Sequence, residues 1–549
     1  MKILHSAKKW IVLPSLILVM VMSSAFVDNY FEISKNLEIF TSIYRELNIY
    51  YVDETKPGAL MKTGVDAMLK SLDPYTVYYP ESKIEDYRFM TTGQYGGIGA
   101  IIQTIDGKIV VAEPHEGFAA EKAGLKAGDV VLEIDGKSIE GKSQDDLSDI
   151  LKGQSGTEVT LTIQRPGEDD TQDLTLTRGE VKIPDVPYYS MIDQKTGYIK
   201  LNGFTRTASQ EVRTAFKDLK DKQGMQQLVF DLRGNGGGLL REAVNIVNFF
   251  VPKGEEIVST RGKLEDWNKT HVALNEPLDT EMPIIILIDG ASASASEIVS
   301  GALQDLDRAV VVGNQSFGKG LVQQTKDVAY NTKLKLTVAK YYIPSGRCIQ
   351  KLDYSHRSQN GNADEVPDSL INEFVTKAGR PVFDGRGITP DVKVELEELS
   401  HVLGGIISNH IDFDWATEYA AANQAVEDEG AFRLSTEEYQ QFVEYALTHD
   451  FEYSTGTEKY FEYLKEVAET ERYFEGAEDE FDQLFSKIKP EKEVDMIKFK
   501  DQIKAYLEQE IASRWGYQTG RIENQLAVDP VMAEALQVFD SNYSDILSF

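Results

Sequence analysis

Two short apolar segments, each followed by a glycine- or serine-rich loop and then by a helical pattern, constrain the fold of this chain most. Residues 228–232 (LVFDL) lead into residues 233–238 (RGNGGG), and residues 284–288 (IIILI) lead into residues 289–297 (DGASASASE). Short apolar strands that alternate with helices predict a sheet covered on at least one face. Because α/β folds place their chemistry in the loops at strand ends, we expect a functional site within residues 182–394.

Composition excludes several classes of protein. The 549 residues correspond to about three to four domains of ~150 residues each. Apolar residues make up 42% and charged residues 27% of the chain, which excludes a disordered, collagen-like or polytopic membrane protein. The net charge of −32 repels phosphate backbones, so we expect no nucleic acid partner. Because Cys348 is the only cysteine, an internal disulfide and a zinc site with two or more thiolates are excluded.

The N-terminus has the pattern of an export signal. Three lysines precede or flank the start of an apolar stretch at residues 10–27, and no acidic residue occurs before Asp28. The stretch is borderline in length for a membrane span, which needs about 20 residues, and residues 23–25 (SSA) offer small side chains for cleavage. Residues 1–27 therefore fit either a removed signal peptide or a retained inner-membrane anchor. Both alternatives place the body of the protein in the periplasm or cell envelope.

The segments that flank the α/β pattern divide the chain further. Apolar residues at spacings of three and four predict a helical N-terminal domain over residues 30–90. Residues 91–180 change to short strands and glycine turns, and residues 181–398 hold the α/β pattern. Residues 399–549 are acidic, aromatic and helical and contain no recognisable motif. This tail fits three roles: dimerisation, binding of an adaptor protein, or covering of the active site.

The second domain resembles a PDZ domain of the bacterial type. Predicted strands at residues 98–104, 108–112, 130–134 and 159–165 enclose a small-residue helix, an Ala-Gly-Leu turn at residues 123–125 and a Gly-Asp strand start at residues 128–129. The resemblance implies that backbone N–H groups of Gly97, Ile98, Gly99 and Ala100 hold the terminal carboxylate of a peptide, which adds to the domain as a β-strand. The alternative is a glycine-rich hairpin without this function.

A serine cluster in the third domain supports two interpretations. Ser292, Ser294 and Ser296 precede a predicted helix, and Ser294 with Glu297 matches the S-x-x-E pattern of a capping box. The same position suits a nucleophile, because unpaired N–H donors at a helix N-terminus stabilise an oxyanion. The residues alone leave both interpretations open.

A serine nucleophile needs a base, and no histidine lies in a core loop that resembles a triad. Lys319 is the alternative, provided that its surroundings disfavour the ammonium form. The neighbouring Phe317, Leu321 and Val322 predict a packed loop around it, whereas the competing interpretation is a solvated lysine on a turn.

The lysine loop also nearly matches a P-loop. Residues 313–320 (GNQSFGKG) follow an apolar strand, but the last position is glycine where a P-loop has serine or threonine for Mg²⁺. Residues 321–325 read as extended rather than helical, and export removes the protein from nucleotide pools. An NTPase is therefore the least favoured function.

Together these features resemble the carboxyl-terminal processing peptidases, the tail-specific serine proteases with a Ser-Lys pair. The resemblance rests on the order of the domains and on residues 231–238 (DLRGNGGG), 293–297 (ASASE) and 318–323 (GKGLVQ). It implies a multidomain α+β fold with a helical N-terminal domain, a PDZ domain, a crotonase-like α/β (βα) protease core and a helical C-terminal extension. It also implies cleavage without a metal or organic cofactor.

The resemblance assigns roles to residues by position. Ser294 becomes the nucleophile, Lys319 the base and Gln323 the residue that orients the lysine. The oxyanion hole is assigned to the N–H of Ala295 and an N–H from the turn Gly237-Gly238, where Gly236 replaces a proline found in many relatives.

Two further residues are weaker candidates for regulation. Asp305 matches an acidic position of some relatives, and Arg165 could reach the catalytic core when substrate binds. For each, the alternative is an exposed residue without a special role.

The sequence thus predicts an exported serine endopeptidase that captures the free C-terminus of polypeptide substrates in its PDZ groove. Cleavage proceeds by acyl transfer through Ser294. The main alternative is a non-catalytic PDZ scaffold of the cell envelope, in which Ser294 only caps a helix. A homodimer or an adaptor protein is the expected macromolecular partner.

Overall fold

The computed structural model describes residues 30–357 and 363–548, so the predicted export segment lies outside the described residues. Within these ranges the chain forms two units, residues 30–80 with 323–337, and residues 81–322 with 338–548. None of the helices described there is both long and apolar enough to cross a membrane.

The helices and strands are numbered in chain order. The α-helices are α1 (residues 30–50), α2 (Pro57–Lys70), α3 (Ile84–Thr92), α4 (Ala119–Lys122), α5 (Gln144–Leu151), α6 (Ala208–Lys217), α7 (Leu240–Val247), α8 (Ala295–Asp305), α9 (His401–Ser408), α10 (Ile411–Ala422), α11 (Thr436–Leu447), α12 (Gly456–Thr470), α13 (Glu478–Ile488), α14 (Lys492–Lys498), α15 (Lys500–Leu526), α16 (Pro530–Ser541) and α17 (Tyr543–Leu547).

The strands follow the same order. They are β1 (Val77–Tyr79), β2 (Gln94–Gly97), β3 (Ala100–Ile105), β4 (Lys108–Pro114), β5 (Val130–Ile134), β6 (Lys137–Ser138), β7 (Glu158–Gln164), β8 (Thr171–Thr177), β9 (Gly179–Lys182), β10 (Tyr188–Met191), β11 (Thr196–Lys200), β12 (Gln227–Asp231), β13 (Glu256–Gly262), β14 (Lys269–Val272), β15 (Ile284–Ile288), β16 (Val310–Gly313), β17 (Leu321–Asp327), β18 (Lys333–Tyr342), β19 (Leu352–Arg357), β20 (Ala363–Glu365), β21 (Glu373–Val375), β22 (Pro381–Phe383) and β23 (Val392–Lys393).

The first unit contains the predicted N-terminal helices. Pro57 opens α2, where its missing N–H costs nothing, and the helix ends before Asp73. The Asp73 carboxylate accepts the N–H groups of Tyr75 and Thr76, which turns the chain into β1. That strand pairs antiparallel with the start of β18, with Val77 opposite Lys335.

The predicted PDZ domain is an antiparallel sheet in the order β3-β4-β5-β7-β8, with β3 at an edge and α5 close to it. The predicted strands at residues 98–104, 108–112, 130–134 and 159–165 coincide with β3, β4, β5 and β7 to within two residues. The domain has a core of its own, formed by buried residues that include Ile102, Val111, Leu147, Leu161 and Ile163. An edge strand beside a helix provides the geometry that strand addition by a peptide requires.

The predicted protease core is a sheet in the order β10-β11-β12-β15-β16-β23, parallel from β11 onward. All residues of β12 and β15 are buried. Helices α6, α7 and α8 cover one face. The other face packs on α16 through Val531, Met532, Ala535 and Val538, so the sheet is covered on both faces. The carboxyl ends of β12 and β15, which carry the two predicted loops, lie side by side because these strands pair in parallel.

The tail is a helical domain built around its own core, which includes Trp415, Phe442 and Leu507. Helices α14 and α15 are separated at Phe499, whose backbone leaves the helical conformation. Helix α15 breaks again at Gly516 and Tyr517, and the φ of Tyr517 is +52°.

Candidate active site

Ser294 lies at the turn between β15 and α8, directly before the helix. Its backbone has φ +56° and ψ −108°, whereas the residue at this position normally has an extended conformation. A positive φ is unfavourable for a residue with a side chain and is found mostly where function requires it. The turn is held by the Ser294 N–H, which donates to Glu297 Oε2 at 2.7 Å. Ser294 therefore takes part in the capping interaction and also has a strained backbone conformation.

The three serines differ in what their hydroxyl groups do. Ser292 Oγ donates to the carbonyl oxygen of Leu232 at 2.9 Å, and Ser296 Oγ donates to that of Asn235 at 2.8 Å. Both serines are fully buried, while Ser294 is only half-buried. Ser292 and Ser296 thus connect the serine turn to the loop after β12, and the role of Ser294 as nucleophile stays a prediction.

The glycine loop after β12 packs directly against the serine turn. A Cβ at Gly237 would lie 2.6 Å from the carbonyl oxygen of Ala293 and 2.9 Å from the amide nitrogen of Ala295, so only glycine fits there. Its φ of +97° also favours glycine. The Gly237 N–H donates to Asn235 Oδ1 at 2.9 Å. The Gly237 N–H is therefore engaged by Asn235, and the oxyanion roles of Gly238 and Ala295 stay predictions.

Glu297 joins the serine turn to the lysine loop. Its Oε2 accepts the N–H groups of Ser294 and Lys319, the latter at 2.9 Å. Its Oε1 accepts the Gly318 N–H at 2.7 Å and the Ser316 hydroxyl at 2.6 Å. The side chain is completely buried, and this burial raises the pKa of the carboxyl group above its usual value. The sequence marked Glu297 only as a helix cap; the S-x-x-E spacing was the sole signal for it.

Tyr341 is a second residue that sequence reasoning missed. It lies in β18, and its hydroxyl group is 2.6 Å from the carbonyl oxygen of Lys319 and 3.1 Å from that of Ser294. The ring is buried to 1% exposure. Nothing in the sequence near Tyr341 points to this contact, since it arises only when β18 crosses the site.

Lys319 itself is half-buried in a loop that has little freedom to move. A Cβ at Gly318 would lie 2.4 Å from Lys351 Cβ, and the Gly320 N–H donates to Gln350 Oε1 at 2.8 Å. The predicted apolar packing is wrong for Phe317, which is 43% exposed because its side chain turns away from the core.

The lysine loop leads into strand β17 and not into a helix. The P-loop interpretation is therefore wrong, because a P-loop requires a helix at this position. Gln323 lies in β17, and its amide is 3.3 Å from Thr337 Oγ1. Its predicted role beside Lys319 stays a prediction.

Asp305 is not the surface residue that one interpretation expected. It is 2% exposed, pairs with the buried Arg347 at 2.9 Å and accepts the Ser345 N–H. Burial raises the pKa of its carboxyl group, while Arg347 opposes that effect. Asp305 therefore fixes the end of α8 to the loop after β18.

Arg165 is likewise not an exposed strand-end residue. Its guanidinium group binds both carboxylate oxygens of the buried Asp129 at 2.9 Å and donates to the carbonyl oxygen of Gly124 at 2.8 Å. Arg165 thus connects the end of β7 to residues 124–129 of the same domain.

Two of the four predicted peptide-binding residues, Ile98 and Ala100, line a cleft of about 500 Å³ between β3 and α5, whereas Gly97 and Gly99 are not among its lining residues. Ile98 and Ala100 lie in its wall with Ile102 and Leu151. A Cβ at Gly99, whose φ is +75°, would lie 2.5 Å from Phe118 Cβ. The Gln144 amide donates to the carbonyl oxygen of Ile102 at 2.7 Å, which occupies one of the backbone acceptors that an added strand would use.

Comparison with known proteins agrees with this architecture. Residues 195–355 match the model of peptidase family S41, residues 110–165 a PDZ domain, and residues 402–539 the C-terminal helical domain of a probable PDZ-protease. The carboxy-terminal-processing protease of Bartonella bacilliformis is 39% identical over 336 residues, which are 61% of this chain and 77% of that protein. This chain belongs to the S41 family of carboxy-terminal-processing proteases.

Other relatives carry similar names. A probable CtpA-like serine protease of Staphylococcus aureus is 37% identical over 317 residues, which cover 57% of this chain and 62% of that protein. Among solved structures, the photosystem II D1 C-terminal processing protease is 28% identical, with a TM-score of 0.35 over 65% of this chain and 92% of the other. Within the S41 family, this chain is a serine protease that carries a PDZ domain and a C-terminal helical domain.

Proposed function

We propose that this S41 protease is an exported endopeptidase that cleaves polypeptides through Ser294 and Lys319 after its PDZ domain has bound their C-terminal end. The observation that carries the catalytic assignment is the contrast among three serines. Ser292 and Ser296 are buried in structural hydrogen bonds, and Ser294 is half-buried in a strained turn at the N-terminus of α8. Export is inferred from the apolar segment at residues 10–27.

The mechanism follows from the roles of these groups. The neutral Lys319 amine takes the proton from Ser294 Oγ as that oxygen attacks the carbonyl carbon of the scissile bond. The N–H groups of Ala295 and Gly238 stabilise the oxyanion of the tetrahedral intermediate. The resulting lysine ammonium gives the proton to the leaving amine, and the acyl-enzyme forms. Lys319 then deprotonates the water that hydrolyses the ester, and the resulting ammonium returns the proton to Ser294 Oγ as the acid product leaves.

The network around Glu297 and Tyr341 supports this pairing. Glu297 holds the backbone of Ser294 and that of Lys319 through one carboxylate oxygen, and the Tyr341 hydroxyl lies between the carbonyl groups of the same two residues. Such fixed positions allow two catalytic side chains to meet with little loss of entropy.

Recognition of the substrate C-terminus is assigned to the cleft between β3 and α5. A peptide that pairs with the edge of β3 would bring its carboxylate to residues 97–100, where the glycines permit backbone N–H groups to converge.

The Ser294→Ala and Lys319→Ala variants test the mechanism. Each removes an indispensable half of the acyl transfer, so cleavage of an unstructured polypeptide should fall by several orders of magnitude while peptide binding persists. The measurement combines a gel-based cleavage assay with labelling by a fluorophosphonate probe, which should react with the native protein and not with Ser294→Ala. Exposed residues of α13 provide matched controls, Ser486→Ala and Lys487→Ala, which should behave as the native protein.

Two outcomes would contradict the proposal. Near-normal turnover of Ser294→Ala would place the nucleophile elsewhere. Absence of both cleavage and labelling in the native protein would favour the non-catalytic PDZ scaffold.

A further inference from the structure

The peptide-binding cleft of the PDZ domain is lined by two residues that do not belong to this domain. Gln518 and Arg521 of α15 lie in the same cleft wall as Ile101 and Glu113 of the PDZ sheet. The C-terminal helical domain therefore forms part of the cleft. A PDZ domain taken alone would lack this side.

The break in α15 accounts for this placement. The helix leaves its regular conformation at Gly516 and Tyr517, immediately before Gln518. Tyr517 adopts φ +52°, a conformation that is unfavourable for a residue with a side chain and persists only where the surroundings impose it. At Gly520 a Cβ would lie 2.7 Å from the carbonyl oxygen of Ala512, so the two halves of the helix approach each other closely. The break thus directs the second half of α15 along the PDZ cleft.

Arg521 is firmly held on one side and accessible on the other. Its guanidinium group pairs with Glu510 at 2.5 Å and donates to Ser513 Oγ at 3.0 Å. Its contact with Glu113 is longer, at 3.4 Å. The Arg521 side chain is 36% exposed, while that of Glu113 is 17% exposed. Lys152 is the other basic residue in the lining and is 34% exposed. Lys152 pairs with Asp86 at 2.9 Å, and the cleft lining within the described residues holds two basic side chains, Lys152 and Arg521, and one acidic side chain, Glu113.

The register of the sheet identifies the peptide residue that Arg521 would meet. With the terminal carboxylate at residues 97–100, an antiparallel peptide places its penultimate residue beside Ile101. Ile101 is 49% exposed and lies directly opposite Glu113, so the side chains of both strands share one face of the sheet. Arg521 contacts Glu113 on that face.

We propose that Arg521, supplied by the C-terminal helical domain, selects polypeptides with an acidic side chain next to their C-terminal residue. The incoming carboxylate takes the place of Glu113 beside the exposed part of the guanidinium group. This inference rests on the proposed function, because it requires that the cleft hold a substrate C-terminus.

The test measures binding of fluorescent peptides to the full chain carrying Ser294→Ala, which prevents cleavage. Four peptides share one sequence and differ at two points: aspartate or lysine at the penultimate position, and a free acid or an amide at the C-terminus. We expect the free-acid aspartate peptide to bind about tenfold more tightly than the lysine peptide, as one charge-assisted hydrogen bond predicts. Arg521→Gln should abolish this preference, and Arg521→Glu should reverse it. Arg472→Gln, an exposed arginine after α12, is the matched control and should leave it intact.

A second pair of variants tests the same proposal if the Arg521 variants fail to fold. Gln518 is exposed, so Gln518→Glu and Gln518→Lys should fold normally. The first should weaken and the second strengthen binding of the aspartate peptide.

Failure of the proposed C-terminus recognition and failure of the proposed role of Arg521 give different results. Equal affinity for acids and amides would overturn the proposed recognition of the C-terminus. Selectivity for acids together with an unchanged aspartate preference in Arg521→Gln and in both Gln518 variants would overturn the role of the C-terminal domain alone.

Discussion

Among single residues, Glu297 connects the serine turn with the lysine loop. Its buried carboxylate accepts four hydrogen bonds from the serine turn and the lysine loop. An unpaired buried acceptor or donor costs about 1–3 kcal/mol, so these bonds fix the relative position of both loops. Glu297 is a positioning residue.

Replacement of Glu297 should therefore impair turnover more than binding. An amide at this position, as in Glu297→Gln, turns an NH₂ group towards backbone donors and shifts one loop against the other. We expect kcat to fall about 100-fold with little change in KM or in peptide affinity. Glu297→Asp, which keeps the charge on a shorter side chain, should restore part of kcat.

The matched control is Glu242→Gln, since Glu242 is a buried carboxylate of the same core that accepts hydrogen bonds from Ser209. Its variant should lose stability and retain kcat in the folded fraction. If Glu297→Gln behaved in the same way, Glu297 would have a structural role only.

At the level of secondary-structure elements, α16 is connected to the glycine loop of the active site. Asp529 caps this helix by accepting the N–H groups of Val531 and Met532. It also pairs at 2.6 Å with Arg233, which precedes the glycines and binds the buried Asp231. The pKa of the Asp231 carboxyl group lies well below its usual value, because Arg233 and Lys200 outweigh the effect of burial. The Asp529 carboxylate thus both caps α16 and pairs with Arg233 of the active-site loop.

Two substitutions at Asp529 separate these effects. Asp529→Ala removes cap and ion pair, so the free energy of unfolding should fall by about 1–3 kcal/mol. Asp529→Asn keeps an acceptor for the cap and loses only the charge, so it should retain most of the stability. If Arg233 positions the glycine loop, kcat should fall about tenfold in both variants. Denaturant unfolding and steady-state kinetics measure the two quantities, and full activity of Asp529→Asn would show that the ion pair has no influence on catalysis.

For the molecule as a whole, the C-terminal domain is integrated with the rest of the second unit. Its last helices cover one face of the protease sheet, and α15 contributes to the PDZ cleft. Between α10 and α15 lies a buried carboxyl group, Asp412, that has a nearby carboxylate in Glu510. Burial and this like charge raise the pKa of Asp412 to about 7, against a smaller opposing effect of Arg514.

Stability should therefore depend on pH through Asp412. Because its pKa is raised in the folded state from 3.8, the folded protein binds the proton more tightly than the unfolded chain. The contribution of Asp412 to stability is present in full below pH 4 and is lost as the pH rises to about 7, by at most about 4 kcal/mol.

The Asp412→Asn variant, which cannot ionise, should gain stability over the native protein as the pH rises from 4 to 7, with a constant difference above pH 8. Thermal unfolding at several pH values measures this, with the exposed Asp482→Asn as control. A difference that stays the same across this range would contradict the assignment.

Local patterns in the sequence were sufficient to predict the strands and helices that carry the serine turn and the lysine loop. Continuous apolar segments defined β12 and β15, and period-two alternation with glycine turns defined the PDZ strands. The serine turn and the lysine loop were recognisable because special backbone conformations and helix starts require particular residue types nearby in sequence.

The tertiary structure alone determined the contacts between distant segments. Glu297 looked like a helix cap, Asp305 and Arg165 looked exposed, and Tyr341 carried no signal, because the partners that determine their roles lie 19 to 47 residues away in the chain. The same applies on a larger scale to α15, since residue 521 reaches Glu113 across 408 positions. Local propensity specifies elements through neighbouring residues, whereas burial, ion pairing and a composite cleft depend on which surfaces the fold brings together.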